Sequence, residues 1–189
     1  VTGVQTCALP ILKGCDVNGF GTLEFEKAKE LAENSDTVIL VLGIDGDLES
    51  EGLDRVPTTL PDLQAALMET VLDVAGERTI IVLIHGGTIS LGDVRDKAGA
   101  IISAGYGGEA GAAAIADVVF GEYNPTGKLA ATVYPPSFVD DIPLTEMGLR
   151  VGVGRTHMYY SGDAEFSFGD GLSYSQWKLD WVINGDDGD

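Results

Sequence analysis

The apolar positions of the chain fall into short segments of two alternating kinds. Phe25, Ala28, Leu31 and Ala32 recur at helical spacing, and Asn34 can end that helix. Residues 37–42, Thr-Val-Ile-Leu-Val-Leu, form an unbroken run rich in β-branched side chains. A half-solvated strand would alternate, so this run predicts a strand covered on both faces. Residues 43–59 are polar and read as a loop. Leu63, Leu67, Val71 and Val74 repeat at helical spacing, with Pro61 near the start and Gly76 just past the end. Residues 79–84 predict a second buried strand and residues 100–104 a short third. Residues 108–120 read as an Ala-rich helix closed by Gly121. Residues 129–134 predict a further strand, ended by Pro135 and Pro136. Residues 177–183 alternate in the manner of a strand.

Strands alternating with helices predict an α/β fold, a three-layer sandwich with a mostly parallel sheet covered by helices on both faces. Ligands of such sheets bind at the carboxyl ends of the strands. Three loops leave those ends, at residues 43–59, 85–93 and 105–109, and the functional search belongs there. The two termini stand apart from this pattern. Residues 1–11 resemble the conceptual translation of a sequencing-adapter oligonucleotide, so residues 1–13 are expected to be a leader outside the fold. The α/β domain is expected over residues 14–175. Residues 176–189 are expected to be the truncated start of a β-sandwich domain, its first strand running into an acidic, Gly-containing tail.

Composition narrows the functional classes. The 189 residues are 44% hydrophobic and 22% charged, as in an ordinary globular protein. No apolar run approaches the roughly 18–20 residues that a membrane helix needs. Eleven basic and 30 acidic residues give a net charge of −19. Such a field repels phosphate backbones, so neither nucleic acid nor an anionic membrane is an expected partner. Glycine, at 26 residues, is about twice as frequent as average. Two cysteines, Cys7 and Cys15, make neither a disulfide framework nor a metal-ligand spacing.

Two motifs are decoys. Gly105-Tyr-Gly-Gly-Glu-Ala110 fits the permissive dinucleotide pattern. No acidic residue lies between Glu122 and Asp140, where the ribose partner belongs, and Glu109 would put a carboxylate where the pyrophosphate should sit. His85-Gly-Gly resembles an esterase oxyanion loop, yet the chain lacks the required G-x-S-x-G. With only His85 and His157, a histidine-based metal site is not expected either. No cofactor and no metal are expected.

The loop after the first strong strand carries Glu49-Ser-Glu51-Gly-Leu-Asp54-Arg55. Neighbouring like charges raise each other's pKa, and a carboxyl with a raised pKa can donate a proton near neutral pH. By itself the cluster reads as a solvated acidic loop, in a chain that already has 30 acidic residues.

In its order of motifs the chain resembles the C-terminal α/β sandwich domain of glycoside hydrolase family 3, in its β-xylosidase and α-L-arabinofuranosidase branch. A strand, then Glu-x-Glu-Gly-x-Asp-Arg, then Leu60-Pro61 and a helix, is the first match. Residues 105–111 resemble the family's Tyr-Pro-Gly-Glu-x-Gly turn. Residues 116–129 resemble its Gly-Asp-Tyr-Asn-Pro-Ser-Gly-Arg-Leu segment. Residues 154–160 resemble Gly-Arg-Thr-Tyr-Arg-Tyr-Phe, and residues 168–174 resemble the closing Phe-Gly-Tyr-Gly-Leu-Ser-Tyr. Gly107 in place of Pro, His157 and Met158 in place of Tyr-Arg, and Asp170 in place of Tyr bear on sugar preference rather than on fold.

The resemblance implies a retaining exo-glycosidase acting on terminal β-xylosyl, α-L-arabinofuranosyl or β-glucosyl residues of a glycoside or oligosaccharide. It implies an N-terminal (β/α)8 barrel, missing from this chain, that supplies an Asp nucleophile. Glu51 is then the acid/base, with Glu49 the runner-up. Glu49, His85 and Tyr106 are expected to bind substrate. Asp54 and Arg55 are expected to pair and hold the loop. A secreted protein is implied as well, and the strand after Tyr174 would open a fibronectin-III-like domain. A non-catalytic carbohydrate-binding or scaffold domain is the alternative.

Overall fold

The computed structural model describes residues 10–18 and 24–181. The first nine residues of the expected leader lie outside the described residues, as do residues 182–189 of the expected C-terminal strand and tail. The chain folds as an α/β sandwich. Its elements are α1 (Phe25–Glu33), β1 (Val38–Gly43), α2 (Asp62–Ala75), β2 (Thr79–Ile84), β3 (Ala100–Ser103), α3 (Gly111–Val119), α4 (Phe138–Asp141) and α5 (Thr156–Tyr159). The sheet order is β1-β2-β3, and both pairings are parallel. Leu40 lies opposite Ile81, and Ile81 opposite Ile101.

The core lies between one face of this sheet and the α1/α2 layer. Leu40, Leu42, Ile81 and Leu83 meet Leu67, Met68, Val71, Leu72 and Ala75. The buried stripe of α2 runs 64, 67, 68, 71, 72, 75, so it is rotated by about one residue from the stripe expected around Leu63 and Val74. The rotation brings a polar residue inside. Gln64 accepts from Gly43 N at 2.8 Å, donates to Gly43 O at 2.7 Å, and donates to Val17 O. Its amide replaces ladder partners that the last residue of β1 would otherwise lack, which is why a glutamine is tolerated in the core.

Four expectations are corrected. β1 was expected to be covered on both faces, yet Ile39 and Val41 are 40% and 60% exposed. β1 is the edge strand of this sheet, and α1 and α2 cover only its other face. The Ala-rich helix starts at Gly111 rather than 108 because Gly108 has a left-handed φ of 62°, outside helical backbone. Residues 129–134 form no regular strand. They make a single antiparallel bridge, Val133 to Phe166, with Leu129 tied to Gly169 and Asp170. Residues 177–181, the described part of the expected C-terminal strand, also form none. An isolated strand leaves its N–H and C=O groups unpaired, and among the described residues no strand pairs with Trp177–Leu179–Trp181, all three strongly exposed.

The irregular C-terminal third is fastened to the sheet layer by one buried carboxylate. Glu165 accepts from Leu91 N at 2.9 Å and Gly92 N at 2.8 Å. Beside it Ser90 Oγ donates to Tyr134 O at 2.7 Å, and Tyr134 stacks on Phe138 with ring centroids 3.9 Å apart. Glu165→Ala leaves two N–H groups without acceptors in a buried site. The expected cost is about 1–3 kcal/mol, read as a lower urea midpoint in equilibrium unfolding. An unchanged midpoint would contradict the fastening role.

Candidate active site

The carboxyl ends of β1, β2 and β3 bring three chain segments together: the loop after Gly43, the residues from His85 to Thr88, and Tyr106. Glu49 lies at their meeting point. Its Oε1 accepts from Gly86 N at 2.8 Å, Gly87 N at 3.1 Å and Tyr106 Oη at 2.8 Å. Its Oε2 accepts from Gly87 N at 3.2 Å and from Arg55 Nε at 3.2 Å. The Glu49 and Arg55 side chains are only 18% and 14% exposed. Arg55 also donates to Thr88 O at 3.0 Å, while its Nη1 is shielded from water without a partner.

This packing requires glycine at two consecutive positions. A Cβ on Gly86 would sit 2.7 Å from Glu49 Oε1 and 2.8 Å from the Tyr106 ring. One on Gly87 would sit 3.0 Å from both Glu49 Oε2 and Arg55 Nη2. The pair was read in the sequence as a false esterase motif. The usable signal was two residues without side chains directly after a buried strand, where backbone N–H groups can reach a carboxylate.

Glu51 is placed differently. Ser50 and Leu53 exchange both backbone hydrogen bonds, at 3.1 and 2.9 Å, which closes a two-residue turn. Gly52 has φ 78° and Glu51 a negative φ, the pattern of a type II turn. Glu51 therefore stands at the tip. It is exposed and has no side-chain partner among the described residues. Two residues apart on a strand, Glu49 and Glu51 would point the same way. The turn sends Glu49 in and Glu51 out.

Mutual elevation of the two glutamates was expected, and Glu49 runs the other way. Partial burial pushes its pKa up. The Tyr106 hydroxyl, the Gly87 and Gly86 N–H groups and the Arg55 charge outweigh that, and hold it below the ordinary glutamate value. Tyr106 is raised, by burial and by the carboxylate to which it donates. A carboxyl depressed in the folded state contributes its stabilisation fully above the unfolded pKa and loses it as pH falls through the folded one. Accordingly, the Gly86 and Gly87 amide shifts of the chain should titrate with a midpoint below about 4.3. A midpoint above that value would contradict the hydrogen-bonding scheme.

The remaining expected site residues divide. Asp54 was expected to pair with Arg55; Arg55 pairs with Glu49 instead, and Asp54 is exposed on the wall of the site. Glu49, Ser50, Leu53, Asp54, Arg55, Tyr106 and Leu144 line an open depression of about 670 Å³. Tyr106 is 54% exposed. Leu144 was not foreseen; it comes from the irregular C-terminal third, whose path the sequence pattern did not show. His85 is not among the lining residues. Its Nε2 lies 2.9 Å from Ser103 Oγ, and its Nδ1 is buried without a partner. Burial holds its pKa below the ordinary imidazole value, against the opposing influence of Gly87, Glu49 and Gly86, so the ring is neutral at neutral pH. Among the described residues no group of three or more metal-ligating side chains occurs, and no helix is long and apolar enough to cross a membrane.

Residues 7–174 match the family model described as the glycosyl hydrolase family 3 C-terminal domain. The chain belongs to glycosyl hydrolase family 3. Similar proteins include a β-xylosidase/α-L-arabinofuranosidase of Medicago sativa subsp. varia, 40% identical over 85% of this chain. A probable β-D-xylosidase of Arabidopsis thaliana is 41% identical over 88% of it. The chain spans about a fifth of the length of these relatives, 22% of each. Among solved structures, a family 3 exo-β-xylosidase in complex with a xylobiose aziridine probe superimposes with a TM-score of 0.75 at 29% identity. It matches 86% of this chain and 22% of its own. A β-glucosidase of Kluyveromyces marxianus in complex with glucose gives 0.71 at 32% identity, over 81% of this chain and 19% of its own.

Proposed function

We propose that this domain supplies the acid/base carboxylate of a retaining exo-glycosidase, and that Glu51 is that group. The observation that carries the reading is the mounting of Glu51. It is an exposed carboxyl with no partner among the described residues, at the tip of a closed turn, over the end of the sheet where sandwich folds bind ligands. Glu49 is a poorer donor. Four groups already donate to it, and it is held in the ionised form, so it has no proton to give. Glu51 would first protonate the departing glycosidic oxygen and then take a proton from the water that resolves the glycosyl-enzyme. The nucleophile would be an Asp of an N-terminal (β/α)8 barrel. Retention requires the two carboxyls about 5–5.5 Å apart, so the depression beside Glu51 would form part of the contact with barrel and sugar.

The relatives named as β-xylosidases and arabinofuranosidases support a terminal pentosyl substrate, and the glucosidase structures leave hexosyl substrates within reach. The test is turnover of aryl β-xyloside and aryl α-L-arabinofuranoside. The complete glycosidase that carries this domain is expected to hydrolyse at least one with retention. The 189-residue chain alone is expected to show no turnover, because half of the carboxylate pair is not in it. Hydrolysis by the chain alone, or inversion by the complete enzyme, would contradict the proposal.

A further inference from the structure

The turn that carries Glu51 is held by both of its feet. The foot before it is Glu49, bound to Gly86 N, Gly87 N and Tyr106 Oη. The foot after it is Arg55, bound to Thr88 O at 3.0 Å. The feet are joined by the Glu49–Arg55 ion pair at 3.2 Å. Residues 49–55 are thus a closed ring fastened at both ends to one short segment, 86–88, at the end of the central strand β2. Between the feet, the paired backbone bonds of Ser50 and Leu53 fix the tip.

An apolar contact would close this loop with less desolvation than a largely buried ion pair. A carboxylate gripped by backbone N–H groups does something an apolar contact does not: it fixes direction as well as proximity, because hydrogen bonds are directional. The Glu51 side chain has no partner among the described residues, so its aim is set by the closed turn and by the turn's two feet.

We propose that Glu49, held by Gly86, Gly87, Arg55 and Tyr106, is a positioning residue that aims the Glu51 turn at the glycosidic oxygen. This rests on the acid/base reading of Glu51. Glu49 acts through Glu51 and not on the substrate's reacting atoms. Losing the clamp misdirects the proton donor without removing it, and the penalty is largest where proton donation matters most.

The test is kcat/KM of the complete glycosidase across aryl glycosides of graded leaving-group basicity, for the wild type, Glu51→Ala, Glu49→Gln and Gly86→Ala. Gly86→Ala changes no charge. Its Cβ would meet both Glu49 and Tyr106 within 3 Å and so must displace the clamp. Glu51→Ala should steepen the dependence on leaving group most. Glu49→Gln and Gly86→Ala should steepen it in the same sense, losing about 10- to 100-fold on the poorest leaving group and about threefold or less on the best, as expected for misplacement near 1 Å. Tyr106→Phe removes one donor to Glu49 and keeps the ring; it gives the same signature at smaller size if Gly86→Ala does not fold. A uniform loss across the series, or none, in the clamp variants while Glu51→Ala steepens it would overturn the positioning role alone. An unchanged dependence in Glu51→Ala would overturn the acid/base reading, and the positioning role with it.

Discussion

Replacing Glu51 with glutamine in the complete glycosidase is expected to lower kcat/KM by about 10²–10⁴ for glycosides with poor leaving groups. The amide keeps the size of the side chain and its place at the turn tip. It cannot give up a proton in the first step or accept one in the second. For an activated aryl glycoside the first step needs little protonation, so kcat/KM falls far less. The second step still lacks its base. The glycosyl-enzyme then accumulates, and kcat and KM fall together. Leaving-group dependence and the joint fall of kcat and KM are separate signatures of one residue serving both steps. Equal, small losses on both substrate types would assign the proton transfer elsewhere.

The largest effect on stability is expected at the centre of the sheet. Ile81 is fully buried in β2, between Leu40 on β1 and Ile101 on β3 and under the α2 stripe. Every neighbour is held by another element, so little can collapse into the space that a smaller side chain leaves. Ile81→Ala should cost about 2–5 kcal/mol. Against a typical total of about 5–15 kcal/mol this is a large share. Urea unfolding followed by circular dichroism should show a lower midpoint at an unchanged slope. A loss below about 1 kcal/mol would mean that the β2 core is looser than the burial of Ile81 indicates.

The regular half of the fold was legible because its elements obey local rules. The 79–84 run is β2 to the residue, and Phe25, Ala28, Leu31 and Ala32 mark α1. Tertiary partners decided the rest. The Gln64 amide replaces ladder partners at Gly43, so a polar position belongs to the buried stripe of α2. Residues 129–134 have strand composition, yet they make a single bridge, Val133 to Phe166, and stay irregular. The loop at residues 49–55 was found from its motif, but the different placing of its two glutamates was not. Sequence spacing suggests that Glu49 and Glu51 share an environment. A two-residue turn and a pair of glycines 37 and 38 positions after Glu49 place one in a cradle of donors and the other in the open.

The most direct measurement of the central claim is chemical rescue. Azide is a nucleophile that needs no base, so it can replace water in the second step when the general base is gone. The Glu51→Ala variant of the complete glycosidase, given an activated aryl glycoside, should recover turnover as azide is added and release a glycosyl azide with the anomeric configuration of the substrate. The same treatment of Glu49→Ala should give no such product. No rescue of Glu51→Ala, or rescue of Glu49→Ala in its place, would contradict the assignment of Glu51 as the acid/base.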